Sequence, residues 1–421
     1  MNRVAFFRFV LCCVSPLLFA GCGKYDPPQF SLNMVAIAKQ QLPFDQQQEV
    51  SNILDGMFGT PDKPFVLGQG KSIADSETGL DPKKLAVAAG PVRSDEFGRE
   101  TGLYRRHCGH CHGTTGDGLG PTAMLLNPYP RDYRPGKFKF KATERAAKPT
   151  RADLELIVRH GVQGTAMPAF GLLPDAQVDA LVEYVKYLSI RGQVELRLID
   201  AMAELGQDEK LQLTRANLVD EILKPIVESW NTANESIIKP EDKPDVELAT
   251  SIDKGRELFY GTKGNCAKCH GPSALGDGQT SDYDDWTKPV TELASDLRGE
   301  EERLRTDTDL SNEDRVALKM HVALASQALK ADSLPPRTAQ PRNLRQGIYR
   351  GGRRPVDLYR RIYAGINGMP MPAVGPASPG AKGTMEPDEI WSLVDYVLSL
   401  PYESISQPPH HQPATLSKAN F

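Results

Sequence analysis

Cysteine and histidine are scarce in this chain, with seven and eight among 421 residues. Long apolar runs are absent too: residues 9–20 form an apolar stretch that is shorter than the roughly 20 residues needed to span a bilayer. The sequence contains no P-loop, dinucleotide fingerprint or hydrolytic triad, and no apolar–polar alternation typical of a sheet. A net charge of −4 gives no reason to expect nucleic acid as a partner. These absences disfavour the common hydrolase, nucleotide-dependent and nucleic-acid-binding classes.

The few cysteines are concentrated in two kinds of place. Three lie at the N-terminus, and the other four form the motifs CGHCHG at 108–113 and CAKCHG at 266–271. No cysteine remains for a structural disulfide, although an export signal would imply an oxidising compartment. The residues whose chemistry needs explanation are therefore Cys108, Cys111, Cys266 and Cys269.

The N-terminus resembles an export signal. Arg3 and Arg8 precede the apolar stretch, and small residues follow it. The sequence FAGC, ending at Cys22, is similar to the lipobox of bacterial lipoproteins, although Phe19 replaces the usual aliphatic residue. The resemblance implies a signal peptide over 1–21, a lipid on Cys22 that anchors the protein to a membrane, and a location on the periplasmic side of a bacterial membrane. Simple cleavage and an uncleaved anchor are the alternatives.

Four blocks of sequence recur in the same order, which indicates two copies of one domain. The blocks, each followed by its counterpart, are 98–113 and 255–271, 130–138 and 341–349, 164–170 and 368–374, and 178–185 and 390–397. The copies extend over about 92–190 and 251–402. Apolar residues at i, i+3, i+4 and i+7 in the last block predict an amphipathic helix in each copy. The sequence therefore predicts an all-α fold with two domains in tandem.

The remaining segments have no counterpart in the repeat. We expect residues 22–91, which are rich in Pro and Gln, to form a tether or a wrap around the first domain. Residues 191–250 show helical periodicity and predict a folded, helical connector between the domains. The charged residues 284–338 predict a helical insertion in the second copy, and residues 403–421 form a C-terminal tail.

The spacing C-x-x-C-H is the attachment signature of haem c. Cysteines at i and i+3 lie on one side of a helical turn, where each adds to one vinyl group, and the His that follows projects toward the iron. The motifs therefore assign His112 and His270 as proximal ligands and predict two covalently bound haem c groups. A zinc site needs four N or S ligands, and a thioredoxin-like pair needs a neighbouring βαβ pattern. Haem attachment fits the sequence better than either.

Each copy resembles a class I cytochrome c domain. The likeness consists of a helix that ends in C-x-x-C-H-G, a Gly-Asp-Gly loop, a Met-Pro loop and a C-terminal helix with an aromatic residue. The resemblance implies that a Met is the distal ligand: Met167 in the first copy and Met371 in the second, with Met369 as its rival. Core packing is the alternative role for these residues.

Coordination by His and Met raises the reduction potential and leaves no open position at the iron. We therefore expect an electron-transfer protein rather than an enzyme, with redox proteins as partners and no small-molecule substrate. A quinol-oxidising complex or a dehydrogenase would donate electrons, and a terminal oxidase or reductase would accept them. The alternatives are a cytochrome subunit of a larger respiratory complex and a dihaem peroxidase.

Arginines recur in the second block of the repeat. Haem propionates need hydrogen-bond donors when partly buried, and solvation at the surface is the alternative role for these side chains. The candidates are Arg131, Arg134, Arg342 and Arg345. Residues 342–361 contain seven arginines, a basic rim that either steers an acidic redox partner or meets the acidic connector.

The other histidines have no matching histidine in the other copy, and we expect them to lie at the surface or to have packing roles. His107 and His110 flank the first motif, and we expect them to point away from the iron. His321 lies in the insertion and is a rival ligand in the second copy. The remaining ones are His160, His410 and His411.

Replacement of Cys22 by Ser is expected to release the protein from the membrane fraction, because the lipid would be attached to that sulfur. Cell fractionation followed by haem staining measures the distribution. Cys13→Ser, within the same signal, is the control and should leave the protein bound to the membrane. Membrane binding of both variants would contradict the lipidation of Cys22.

Overall fold

The computed structural model describes residues 26–67, 77–94, 96–205, 211–279, 281–376 and 382–403. The lipobox, Cys22 and the tail histidines His410 and His411 lie outside these residues. Within them the chain is helical, and its strands β1 (Arg93–Ser94) and β2 (Glu100–Thr101) form a short antiparallel pair. The all-α fold predicted from the sequence is confirmed.

The α-helices of the described residues occupy the N-terminal region, both repeats, the connector and the insertion. In chain order they are α1 (Met34–Lys39), α2 (Phe44–Phe58), α3 (Pro82–Ala88), α4 (Leu103–His107), α5 (Gly109–His112), α6 (Arg151–His160), α7 (Asp175–Ala203), α8 (Lys224–Asn231), α9 (Leu248–Tyr260), α10 (Ala267–His270), α11 (Thr287–Thr306), α12 (Asn312–Ala331), α13 (Pro355–Ala364) and α14 (Pro387–Ser399). A π-helical segment at Ala216–Leu223 directly precedes α8. Short 3-10 turns lie at Ala123–Leu125, Thr232–Ser236, Leu344–Gln346 and Leu400–Tyr402. Among the described residues, no helix combines the length and the apolar character of a membrane span.

Local sequence signals fix the ends of several helices. Thr150 and Asp153 form a capping box at the start of α6, where each side chain accepts a hydrogen bond from the other residue's backbone amide. α14 begins at Pro387, and Pro suits the first helical position. The carboxylates of Asp388 and Glu389 in its first turn interact favourably with the helix dipole.

α7 is the central helix of the first domain. It runs for 29 residues without a break at residue 190, so the connector of 191–250 begins inside this helix. α2 and α3 pack against α7, and the π-helical segment and α8 add their apolar residues to the same core. Most buried apolar residues of the N-terminal region and of the connector therefore belong to the hydrophobic core of the first domain, whereas Ile238 joins that of the second domain.

A buried polar network attaches the N-terminal region to α7. Arg191 and Glu195 form an ion pair at 3.2 Å, and both side chains are buried. Glu195 also accepts a hydrogen bond from the backbone amide of Asn33, which caps α1. The guanidinium carbon of Arg191 lies 4.3 Å from the centroid of the Phe30 ring. Because a buried charge is costly without partners, these contacts favour one position of this segment on α7.

α9 and α14 cross at the centre of the second domain. Gly255 on α9 lies at the crossing, and a Cβ atom there would meet the carbonyl oxygen of Ser392 at 2.0 Å. Phe259 packs edge-on against Tyr396, with ring centroids 5.4 Å apart. The close approach of the two helices therefore depends on a residue without a side chain.

The insertion contains α11 and α12, which pack on each other and on α1. His321 on α12 is buried between them. Its Nδ1 bonds the carboxylate of Glu300 on α11 at 2.7 Å, and its Nε2 lies 2.8 Å from the carbonyl oxygen of Ala38 on α1. Both ring nitrogens have protein partners, so His321 has a packing role and offers no nitrogen to iron.

Gly255→Ala is expected to destabilise the fold by about 1–3 kcal/mol, because the added methyl group overpacks the helix crossing. Gly299→Ala on α11 is a matched control, since a Cβ atom there meets no other atom within 4 Å. Ala should stabilise that exposed helix by up to roughly 1 kcal/mol. Thermal unfolding followed by circular dichroism should give a lower midpoint for the first variant only. Equal midpoints would show that the crossing tolerates a side chain.

Candidate functional site

The first C-x-x-C-H motif is a single helical turn. α4 ends at His107, and α5 begins after Cys108 and carries Cys111 and His112. The amide of His112 donates to the carbonyl oxygen of Cys108 at 2.9 Å, which keeps both thiols on one side of the turn. The thiols are free and half-buried, and Gly113 ends the turn with φ of 73°.

The second motif repeats this geometry. The amide of His270 donates to the carbonyl oxygen of Cys266 at 2.9 Å, and Gly271 ends the turn with φ of 81°. Both thiols of this motif are also free and half-buried. Burial raises the pKa of Cys266 to about 11 and that of Cys108 to about 12, so both are protonated at neutral pH. Each motif therefore presents a pair of thiols beside one imidazole.

Backbone carbonyl groups orient both imidazoles. Nδ1 of His112 lies 3.0 Å from the carbonyl oxygen of Arg131, and Nδ1 of His270 lies 3.3 Å from that of Arg342. When Nδ1–H donates to a carbonyl oxygen, Nε2 is left as the metal-binding nitrogen. Burial lowers the pKa of His112 to about 4 and also lowers that of His270, so both rings are neutral at pH 7. From the sequence we expected only side-chain roles for Arg131 and Arg342, and this backbone role was not predicted.

The Met-Pro loops have the same backbone hydrogen bonds in both copies. The carbonyl oxygen of Met167 accepts from the amide five residues earlier at 3.2 Å, and that of Met371 does the same at 3.3 Å. The amides of Thr165 and Met369 each donate to the carbonyl oxygen three residues earlier, at 3.1 and 3.0 Å. Met371 is therefore the structural counterpart of Met167, and Met369 is that of Thr165. This equivalence favours Met371 over Met369 as the distal ligand.

The Gly-Asp-Gly triplets of the two copies are not structurally equivalent. Gly118 ends the first triplet and Gly276 begins the second, yet their amides donate to equivalent carbonyl oxygens, those of His112 and His270, at 3.0 and 2.8 Å. Two residues earlier, the second copy has Ala274 with φ of 57°, a left-handed conformation that is uncommon without glycine. The two Gly-Asp-Gly triplets are therefore offset by two residues between the structures of the two copies.

A cavity of about 270 Å³ adjoins both the first motif and its Met-Pro loop. Cys108, Cys111, His112 and Met167 all line it. The other walls are mostly apolar and aromatic, and they include Tyr133, Phe138, Leu154, Val158, Phe170, Leu181 and Val182. These residues fit haem c: the thiols would attach it, and the imidazole and the thioether would occupy the axial positions of the iron.

His107 and His110 also line this cavity, although we expected them to point away from the iron. The helix is interrupted at Cys108, so helical spacing does not carry across the motif. His107 packs edge-on against Phe170 with ring centroids 5.6 Å apart. Its Nε2 is buried without a hydrogen-bond partner among the residues that the structure describes. His160 is exposed and bonds a carbonyl oxygen of its own helix.

The arginines considered for propionate binding fall into two groups. Arg134 and Arg345 are buried and form ion pairs with protein carboxylates at 2.9 and 3.0 Å, so they hold loops of the polypeptide itself. Arg131 lines the first cavity. The Nε of Arg342 is buried without a hydrogen-bond partner in the described part of the chain. Arg131 and Arg342 therefore retain donors for a further ligand.

Comparisons with known proteins give matches to two related families. The family "Cytochrome C oxidase, cbb3-type, subunit III" matches residues 98–185, and the family "Cytochrome c" matches residues 252–401. Among solved structures, a chain of the reducing HAO-like protein complex of Kuenenia stuttgartiensis is similar, with 22% identity, a TM-score of 0.43, and coverage of 73% of this chain and 97% of that one. No curated protein matches this sequence. Each family match contains one C-x-x-C-H motif and one Met-Pro loop.

Met371→Leu is expected to remove the sulfur-to-iron charge-transfer absorption of one haem, because Leu has no thioether. Met369→Leu, two residues earlier in the same loop, is the control and should retain that absorption. The visible spectrum of the oxidised protein measures both. Loss of the band in the Met369 variant alone would reverse the ligand assignment.

Proposed function

Because the chain belongs to the class I cytochrome c family, with two such domains in tandem, we propose that it carries electrons through two covalently bound haem c groups. Cytochrome c domains themselves imply electron transfer and covalent haem c. One observation supports a haem in each copy: both copies place a thiol pair, a carbonyl-oriented imidazole and an equivalent Met-Pro loop in the same arrangement. Bound haem supplies an iron that alternates between the ferric and ferrous states.

The protein groups suit this role. The neutral imidazole of His112 and the thioether of Met167 would fill both axial positions, so no position remains for a substrate. The apolar walls of the cavity exclude water and favour the less charged ferrous state. The thioether acts in the same direction and raises the reduction potential. These features favour electron transfer over chemistry on a bound substrate.

A dihaem peroxidase is the enzyme alternative. Such an enzyme needs one iron with a vacant or displaceable distal position. The equivalent backbone hydrogen bonds of the two Met-Pro loops support a Met ligand in both copies and speak against this alternative.

The setting of the reaction is the second part of the proposal. The N-terminal resemblance to a lipoprotein signal supports export and attachment through Cys22 to the periplasmic face of a bacterial membrane. Electrons would come from a quinol-oxidising complex or a dehydrogenase and pass to a terminal oxidase or reductase. These partners are redox proteins, so electron transfer requires docking of one protein on another and no binding site for a small-molecule substrate.

A cytochrome subunit of a larger respiratory complex is the second candidate function. The match of the first domain to a family described as an oxidase subunit supports it. The insertion supports it too, because Val316 and Met320 on α12 are 58% and 69% exposed apolar side chains.

The basic rim of 342–361 is largely occupied within the chain. Arg345 and Arg354 form ion pairs, and Arg360 and Arg361 donate to backbone carbonyl oxygens. The partner of Arg360 is the carbonyl oxygen of Ile238, in the connector. This occupancy favours an internal role for most of these arginines over the steering of a redox partner.

Met167→Ala should open one axial position, so that the reduced variant binds carbon monoxide at one haem. The wild-type protein should not bind it, and neither should the control Met124→Ala, because that side chain is 59% exposed. The absorption change on adding carbon monoxide to the reduced protein measures this. Binding to the wild-type protein would favour the peroxidase and contradict electron transfer as the sole function.

A further inference from the structure

The rim of the first cavity contains side chains from both domains. Arg131 and Lys139 come from the first domain and Arg350 from the second, and all three line the cavity. In the register of the second repeated block, Arg342 is the counterpart of Arg131, and one residue past the block Arg350 is the counterpart of Lys139. The second domain therefore contributes a cation to the first site.

These cations lack matching carboxylates among the described residues. The pKa of Lys139 is lowered well below its ordinary value, by burial first and then by the charge of Arg131, while Asp284 opposes the shift. Asp284 is itself engaged, because it accepts hydrogen bonds from two backbone amides at the start of α11. Asp285 forms an ion pair with Lys137 at 2.6 Å. The cluster is thus short of negative charge, which the carboxylates of a haem would supply.

Arg350 also has an unused donor. Its Nε is buried and has no hydrogen-bond partner within the described residues. One of its terminal nitrogens lies 3.4 Å from the carbonyl oxygen of Gly164, in the first Met-Pro loop. A buried donor without an acceptor is destabilising, and the planar guanidinium is suited to a bidentate contact with a carboxylate. The side chain is therefore placed to bind an anion in the cavity.

Trp286 connects this rim to the Met-Pro loop of the second domain. The guanidinium carbon of Arg131 lies 3.5 Å from the centroid of the Trp286 ring. A Cβ atom on Gly368 would lie 2.3 Å from Cη2 of the same indole. Gly368 is three residues before Met371. The Arg131–Trp286 stack thus extends from the rim of the first cavity to the Met-Pro loop of the second domain.

The first domain also donates hydrogen bonds to the Met-Pro loop of the second domain. Arg145, from the first domain, donates to the carbonyl oxygens of Met371 at 2.7 Å and of Met369 at 2.9 Å. Arg350 reaches the first loop from the second domain, so each domain contacts the Met-Pro loop of the other. This reciprocal arrangement favours a fixed distance between the two sites.

We propose that Arg350 binds a carboxylate of the haem in the first domain, and that the Arg131–Trp286 stack is the route by which electrons pass between the two haems. This proposal rests on the proposed function, because it requires haem in both domains. One electron is exchanged at a time: one iron is oxidised from ferrous to ferric while the other is reduced from ferric to ferrous, and no proton or group is transferred. The two domains then act as one redox unit.

The full-length holoprotein with Arg350→Gln tests the carboxylate contact. Loss of the guanidinium leaves the carboxylate charge uncompensated, which favours ferric iron in the first domain. We expect about a tenfold change in the equilibrium for electron exchange between the haems, equal to about 59 mV for one electron. The resonance Raman band of the haem carboxylates should shift as well. The same titration in a protein that also carries Met371→His identifies the transition of the first haem, because that change removes the thioether band of the second haem.

The controls separate this contact from a general charge effect. Arg353→Gln, in the same basic stretch, removes a side chain that bonds the hydroxyl of Tyr402 and should leave both potentials unchanged. Arg350→Lys keeps the charge but loses the bidentate contact, so the potential should stay near the wild-type value while the Raman band shifts. An unchanged Raman band in both Arg350 variants would overturn the proposal, as would equal shifts of potential in the Arg353 variant. Absence of haem from the wild-type protein would overturn the proposed function instead.

Trp286→Leu tests the route. After photoreduction of the fully oxidised protein, electron exchange between the haems should be several-fold slower in this variant than in the wild type. Trp286→Phe keeps an aromatic ring against Arg131 and should remain close to the wild-type rate. Identical rates in the three proteins would overturn the assignment of the stack as the route.

Discussion

A hydrogen bond to a backbone carbonyl oxygen orients the imidazole of each C-x-x-C-H motif. It leaves Nε2 as the nitrogen that would bind iron, and burial keeps both rings neutral. The carbonyl groups belong to Arg131 and Arg342, so the same bond also fixes where these two residues lie. In the first domain this places the Arg131 side chain at the cavity rim and against Trp286. The orientation of the axial ligand and the junction between the domains are therefore set by one segment of the repeat.

The segments outside the repeat support this junction. α7 continues past the end of the first copy, and the π-helical segment and α8 close on the same core, so the connector adds to the rigidity of the first domain. The insertion packs on α1 through His321, which ties the second domain to the N-terminal region of the chain. Arg145 of the first domain and Arg350 of the second each donate a hydrogen bond to the Met-Pro loop of the other domain. Two haem domains on a flexible linker would have no need of such contacts, whereas a unit that exchanges electrons internally requires a constant separation.

The sequence was sufficient to predict what depends on local spacing. The C-x-x-C-H turns, the start of α14 at Pro387 and the all-α fold follow from patterns within a few residues, and the structure contains all of them. Features that depend on contacts between distant segments could not be predicted. His107 and His110 line the cavity because the helix breaks at Cys108. Ala274 takes a position that glycine holds in the first copy, and neither Arg145 nor Trp286 belongs to a recurring block. No spacing rule identifies Arg145 or Trp286, because each contacts a residue of the other domain.

The most direct test of the account is the mass of the mature holoprotein combined with an optical redox titration. We predict a polypeptide that carries two haems, with modified sulfurs at both motifs, and two one-electron transitions that each involve a Met-ligated iron. Unmodified thiols at Cys108, Cys111, Cys266 and Cys269, or a zinc ion bound by them, would contradict it.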